Sequence, residues 1–419
     1  MVLVKGRATG FEAALVGLAF AFFALAGSQG QPRPLIVVAL LLAWPVAVVA
    51  VGLTRNAWLA VGYLFAFGIL IRLAYLAERQ LGSDVLGVTW EAIDVTLEGG
   101  NPYTHSYVNS IPQYQNPFAY PPGNMLYYLP GFLLGDIRAT EIFSAGVVLA
   151  GLGWAAWLTR NDWPVAAMAV YAAAPPLIAL ATDASNDTSA GALLFASAFL
   201  LLLARRRSSG WLLLSAGLLM GEALSFKLYT LPFWPFFVAY LASQRWQLSW
   251  AAGANRKLAV PAWLAYAGVS VGFAALVTLP FFLRSPEAFI DSLLAWSDTS
   301  IHPIAGWNVW AFLGSWQGWD AERALGENLP RIDVGLMAAA IIIGLLLGVR
   351  QPSRALLFGA GAWFVLMFFA HWTTYAYFAG VAPVMLLIPF ADRLAEQSDD
   401  YDGHLETEEP APVAAEPAP

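Results

Sequence analysis

Apolar runs of roughly 17–25 residues, the length needed to cross a hydrocarbon core of about 30 Å, recur from one end of this 419-residue chain to the other. They fall at approximately 11–27, 35–53, 57–77, 139–158, 164–181, 189–204, 211–226, 228–243, 258–283, 333–349, 354–370 and 374–391. A membrane barrel would show short alternating strands instead of long uniform runs. Only 12% of the residues are charged and 59% are hydrophobic, too few charges to cover a soluble protein of this length. The expectation is an all-α polytopic membrane protein with about 12 transmembrane helices.

The first run follows Lys5 and Arg7 but has no clear small-residue cleavage site and is succeeded at once by a second run. It reads as a retained helix, so residues 1–56 are expected to form two leading spans. The absence of cysteine excludes disulfides, thiolate metal sites and cysteine nucleophiles. Nine acidic residues lie after Phe390. They belong to a Pro/Ala/Glu-rich tail, 392–419, whose composition cannot build a core and is expected to be disordered.

Charge sets the expected topology. A thirteenth candidate, from Asn124 to Gly135, has only about twelve residues, which suits an interfacial or re-entrant helix better than a span. If that segment does not cross and the N-terminus is cytoplasmic, thirteen of the 21 basic residues fall inside, including Arg205, Arg206 and Arg207. If it crosses, that arginine triplet lies outside. Twelve spans with both termini cytoplasmic is the better reading. It places four polar clusters on the outer face. These are the loop 78–138, the segment Asp183 to Asp187, the Lys227 turn with the loop 284–332, and His371 to Tyr375.

The loop 78–138 is the most unusual of these. Asp84 follows Gly82-Ser83 just beyond the third span. From there, Asp84, Glu91, Asp94 and Glu98 share one helical face, and the apolar residues between them suit a helix lying on the membrane surface. Glu91, Asp94 and Glu98 are expected to form its solvated stripe. Asp84 stands at the helix start, where a carboxylate is both a natural N-cap and a candidate base. Gly99-Gly100-Asn101-Pro102-Tyr103 is a turn by composition, and Tyr120-Pro121-Pro122-Gly123 opens the short apolar helix. Together these residues predict a compact loop.

Lys227 lies almost alone between two apolar runs, and an ammonium there needs a partner. It is either an interfacial anchor that snorkels or a point charge for a phosphate. His371 and Arg72 occupy comparable places near the outer interface. The tryptophans of loop 284–332, Trp296, Trp307, Trp310, Trp316 and Trp319, are interfacial anchors by default and also potential stacking faces for a sugar. The four histidines show no metal-ligand spacing, and no nucleotide-binding fingerprint or serine triad signature is present.

The order of Asp84, Gly-Gly-Asn101-Pro-Tyr103, Phe118-Ala-Tyr120-Pro-Pro and a short apolar helix resembles the polyprenol-phosphate-mannose-dependent mannosyltransferases of the GT-C superfamily. The similarity continues to Asn186, to Lys227 in Gly-x-Ala-x-Ser-Phe-Lys, and to His371 with Tyr375, and it covers roughly residues 57–391. The chain departs from the family at His371-Trp-Thr-Thr-Tyr375, which lacks the usual arginine, and at Ala-Ser before Asn186, where Gly-Gln is common.

The resemblance implies a GT-C-like bundle with an outer loop of interfacial helices. It implies a catalytic carboxylate, carried onto Asp84, and donor-phosphate contacts, carried onto Lys227, His371 and Arg72. Asn101, Tyr103, Tyr120, Asn186 and Tyr375 would line the substrate loop. The expected partners are a polyprenyl-phosphate sugar donor, a glycan or glycolipid acceptor and membrane lipids, with no nucleic acid. No cofactor is required, though a divalent cation is compatible. The expected location is a prokaryotic cell membrane with the site facing outward. The rival readings are a lipid-linked glycan transporter or flippase, with charges near the bilayer midplane, and a glycan polymerase.

Overall fold

Proline and glycine divide this apolar chain into helices of unequal length. The computed structural model describes residues 57–78, 83–108, 118–251, 257–295, 304–318, 324 and 329–396. The two leading runs, the tail beyond 396, Gly82, Trp296 and Trp319 lie outside the described residues.

Helix α1 (Ala57–Glu78) precedes the loop region, which contains α2 (Val85–Leu97) and α3 (Gly123–Leu133). Then come α4 (Ala139–Thr159), α5 (Trp163–Ala173), α6 (Pro175–Leu180), α7 (Asp187–Arg207) and α8 (Gly210–Phe226). A 3-10 turn (Leu228–Phe233) leads into α9 (Trp234–Ser243), and an antiparallel hairpin, β1 (Gln247–Ala251) and β2 (Lys257–Pro261), leads into α10 (Ala262–Arg284). The remainder is α11 (Pro286–Leu294), β3 (Ala305–Gly306), α12 (Val309–Gln317), α13 (Leu329–Leu346), α14 (Pro352–Phe369), β4 (Trp372–Thr373), α15 (Tyr375–Met385) and α16 (Ala391–Ala395).

Among the described residues, six stretches are long and apolar enough to cross a membrane: Trp58–Ala77, Ala139–Thr159, Asp187–Arg207, Ala262–Arg284, Pro352–Phe369 and Tyr375–Ala395. Helix α3, with 11 residues, rises only about 16 Å and is too short to do so.

Helix α7 is the centre of the bundle. Its apolar residues surround it on all sides, the pattern of a fully enclosed helix, and 89% of its span window is buried, against 11% for the peripheral α10. It packs against α4, α8 and α15. Close approach depends on glycine: a Cβ at Gly191 of α7 would run into the carbonyl of Gly380 in α15. Likewise, a Cβ at Gly123 would meet Ser225, so α3 seats directly on the end of α8.

The run 164–181 is not one helix. Pro175 and Pro176 force Ala174 into an extended conformation (φ −65°, ψ 122°), dividing it into α5 and α6. The carbonyls freed at this break are taken by Arg72.

Hydrogen bonds gather the connecting segments at the two ends of the bundle. At one end, Leu86 N–H donates to the Ala184 carbonyl at 3.1 Å, and Ala305 N–H to that of His371 at 3.1 Å. At the same end Arg284 donates to the carbonyls of Gly100 and Gly99, at 2.9 and 2.8 Å. At the other end Arg206 reaches the carbonyls of Arg393 and Glu396, and Ser353 donates to Asp392 at 2.7 Å. The polar clusters that the charge count assigns to one face therefore share one end.

Candidate active site

Lys227 ends α8 in an extended conformation (φ −154°, ψ 122°), which turns its side chain out of the helix ladder. It does not snorkel, being only 8% exposed. Its Nζ donates to Asp187 Oδ1 at 2.6 Å and to Asn186 Oδ1 at 2.7 Å. The rings of Tyr229 and Tyr377 have their centres 5.0 Å away, and that of Tyr120 lies at 5.7 Å, so three aromatic faces surround the ammonium. Tyr229 also donates to Asp187 Oδ1 at 2.9 Å. An ammonium has three donors; those two side-chain bonds leave one N–H for a ligand.

Asn186 and Asp187 stand where α7 begins, Asp187 in its first turn, where a negative charge complements the helix dipole. Asn186 is fully buried, and its Nδ2 has no hydrogen-bond partner among the described residues. In the preceding loop, Asp183 accepts from Ser185 N–H at 3.0 Å and from the Tyr375 hydroxyl at 2.7 Å. Burial pushes the Asp183 carboxyl above its ordinary range, against those hydrogen bonds.

Asp84 precedes α2 without capping it; Val85 N–H is instead taken by Ser83 Oγ at 3.3 Å. Its half-buried carboxylate is within electrostatic reach of Tyr120. The Tyr120 phenol is held well above its usual value, first by burial and then by Tyr377, Asp187 and Asp84. The Leu86–Ala184 bond fastens the start of α2 to the Asp183–Asp187 loop. The structure thus brings Asp84, Tyr120, Asn186, Lys227 and, through Asp183, Tyr375 into one neighbourhood with three carboxylates and one ammonium.

Other candidates form a supporting layer. Asn101 accepts from Tyr103 N–H at 3.1 Å and donates to Ser285 at 2.9 Å, joining the first loop to the start of α11. Tyr103 is buried among Phe118, Phe281 and Phe289, and its hydroxyl donates to the Tyr120 carbonyl at 2.8 Å. His371 is buried, and its carbonyl accepts from Asn308 Nδ2 at 3.0 Å, which anchors the segment before α12. Trp310 donates to the Phe369 carbonyl, whereas Trp307 and Trp316 are 65% and 69% exposed.

Arg72 is committed elsewhere. It is fully buried, and its guanidinium donates to the carbonyls of Gly68, Tyr171, Ala172 and Leu177. It closes the α5–α6 break, and all four of these partners are backbone carbonyls. Glu91 departs from the expected solvated stripe: it accepts from Val108 N–H and pairs with His105 at 2.8 Å, clamping the loop onto α2.

Two members of the neighbourhood, Tyr229 and Tyr377, escaped sequence reasoning, which reads Asp183 and Asp187 only as part of an outer polar cluster. Asp187 had a signal, since a buried lysine requires a counter-charge and Asp187 adjoins Asn186. The tyrosines had none beyond lying two residues after Lys227 and Tyr375. Among the described residues, no three His, Asp or Glu side chains gather to hold a metal. No protein-family model and no curated protein matches the chain.

Proposed function

We propose that the chain is a glycosyltransferase of the GT-C type that moves a sugar, mannose by the motif resemblance, from a polyprenyl phosphate to a glycan or lipid-linked acceptor. The observation that carries this reading is the junction of Asp84 with the Lys227 cluster through Leu86 and Ala184. A carboxylate suited to proton removal and an ammonium suited to phosphate then lie at one end of an apolar bundle. A lipid-linked substrate would present its headgroup at that level while its tail stays in the bilayer.

In this mechanism Asp84 takes the proton from the acceptor hydroxyl as that oxygen attacks the anomeric carbon. The bond from the anomeric carbon to the phosphate oxygen breaks, its electron pair leaves on the phosphate, and the configuration inverts. The remaining N–H of Lys227 stabilises the charge growing on the phosphate, as a preorganised donor in a water-poor site. The Asp187 carboxylate holds the lysine in place when no substrate is present. His371 lies at the same end as a secondary phosphate contact, while Arg72 holds the helix break. The finer architecture in this proposal is about 12 spans in a prokaryotic cell membrane, both termini cytoplasmic and the site outside.

A second reading is transport of a lipid-linked glycan. It is favoured by helices interrupted at Ala174, Lys227 and Ala370, with a buried ion pair at one interruption, an arrangement that transporters use for solute sites. One assay separates the two. Purified protein in liposomes is given polyprenyl-phosphate mannose and an extract of membrane glycolipids, and products are read by mass spectrometry. Transferase activity yields an acceptor heavier by one hexose, whereas transport relocates lipids of unchanged mass.

A further inference from the structure

One buried carboxylate has no part in the mechanism above. Glu141 stands in the first turn of α4, only 1% exposed, inside a helix apolar enough to cross a membrane. None of the ion pairs among the described residues includes it. Ionisable side chains in such places are costly and rare, and they are functional by default.

Its partners are all hydroxyls. Oε1 accepts from Tyr128 and from Ser189, while Oε2 has no partner among the described residues. Ser189 lies 2.9 Å from Ser144, and Ser144 lies 2.9 Å from the Tyr127 hydroxyl. Ser189 gives its one proton to Glu141 and Ser144 donates to the Thr140 carbonyl at 2.7 Å, so Ser144 accepts from Tyr127, and Glu141 holds α3 and α7 directly through Tyr128 and Ser189. One side chain thereby bonds a tyrosine on α3 and a serine on α7, with Ser144 of α4 and Tyr127 of α3 beside them.

The placement of those helices gives the network its consequence. Helix α3 begins at Gly123, three residues after Tyr120, and α7 begins at Asp187. Tyr120 and Asp187 both contact Lys227. Glu141 therefore joins the helix behind one contact to the helix carrying the other. We propose that Glu141 is a positioning residue, which holds Asn186 and Asp187 at a set distance from Tyr120 across Lys227. The placement stands on its own; only its effect on catalysis rests on the proposed transferase function.

The test uses the full chain in detergent micelles with Glu141→Ala and Glu141→Gln, read by hydrogen–deuterium exchange. Glutamine keeps an acceptor oxygen for both hydroxyls. Glu141→Ala is expected to speed exchange in peptides 118–128 and 183–192 about tenfold, the equivalent of one lost hydrogen bond, with 262–284 unchanged. Glu141→Gln is expected to match the wild type. In the transfer assay, alanine lowers kcat with little change in KM for polyprenyl-phosphate mannose, and glutamine restores it. Unchanged exchange at 183–192 in the alanine variant, or equal loosening by glutamine, overturns the assignment. A wild type that transfers no sugar removes the transferase reading, while the exchange data still decide the role of Glu141.

Discussion

The backbone N–H of Leu86 donates to the carbonyl of Ala184 at 3.1 Å, tying the helix that follows Asp84 to the loop that precedes Asp187. Ala184 has φ 67°, the left-handed region, where an L side chain costs roughly 1–2 kcal/mol. Glycine relieves that cost, whereas a β-branched residue increases it. Ala184→Gly is therefore expected to leave transfer intact and the unfolding temperature equal or higher. Ala184→Val should lower both. A valine variant as stable and active as the wild type would show that this turn does not set the site.

The Lys227–Asp187 pair makes a prediction about coupling. Removing one member of a buried pair leaves the other charge uncompensated, which costs about 3–5 kcal/mol, whereas replacing both with neutral residues costs far less. Lys227→Met and Asp187→Asn should each lower the thermal midpoint sharply, and the double variant should recover most of the loss. Simple additivity of the two effects in unfolding experiments would mean that the pair is not a unit.

Asp183 gives the pH dependence. Its folded-state pKa is raised by burial, so the folded protein holds the proton more tightly than the unfolded chain does. The stability from this group is fully present below its ordinary value near 3.8 and is lost as pH rises through the raised value. Asp183→Asn should flatten that part of the stability–pH curve. An identical slope in the variant would assign the dependence to another group.

Helix contact through glycine is testable with a control. A Cβ at Gly191 would run into the Gly380 carbonyl, whereas nothing lies within 4 Å of one at Gly268. Overpacking of this kind costs about 1–3 kcal/mol, while alanine at an open helical position gains about 0.5–1 kcal/mol over glycine. Gly191→Ala should lower the unfolding temperature and Gly268→Ala should hold or raise it. The opposite order would contradict the packing of α7 on α15.

Local patterns carried much of this architecture. The runs at 57–77, 139–158, 189–204, 258–283, 354–370 and 374–391 correspond to the six long apolar stretches, and the short segment after Pro122 is α3. Hydrophobic length determines these elements, and length is read directly from residues. The break at Ala174 also had a local cause, in Pro175 and Pro176. What stayed hidden depends on partners distant in sequence. Arg72 reads from the sequence as a contact for an anionic headgroup, and nothing local shows that the carbonyls of Tyr171 and Ala172 occupy it. Glu91 looked like part of a solvated stripe because the loop that folds back onto it is stabilised by contacts, not by periodicity. The need of Lys227 for a partner was legible; a separation of 40 positions concealed that Asp187 meets it.

The central claim is that Asp84 removes the acceptor proton at a lipid-phosphate sugar site. The most direct test compares wild type and Asp84→Asn in liposomes supplied with polyprenyl-phosphate mannose and membrane glycolipids, with products read by mass spectrometry. The account predicts a product heavier by one hexose from the wild type and none from the equally folded variant. Undiminished transfer by Asp84→Asn would contradict the role of Asp84, and the absence of any hexose-bearing product from the wild type would contradict the transferase itself.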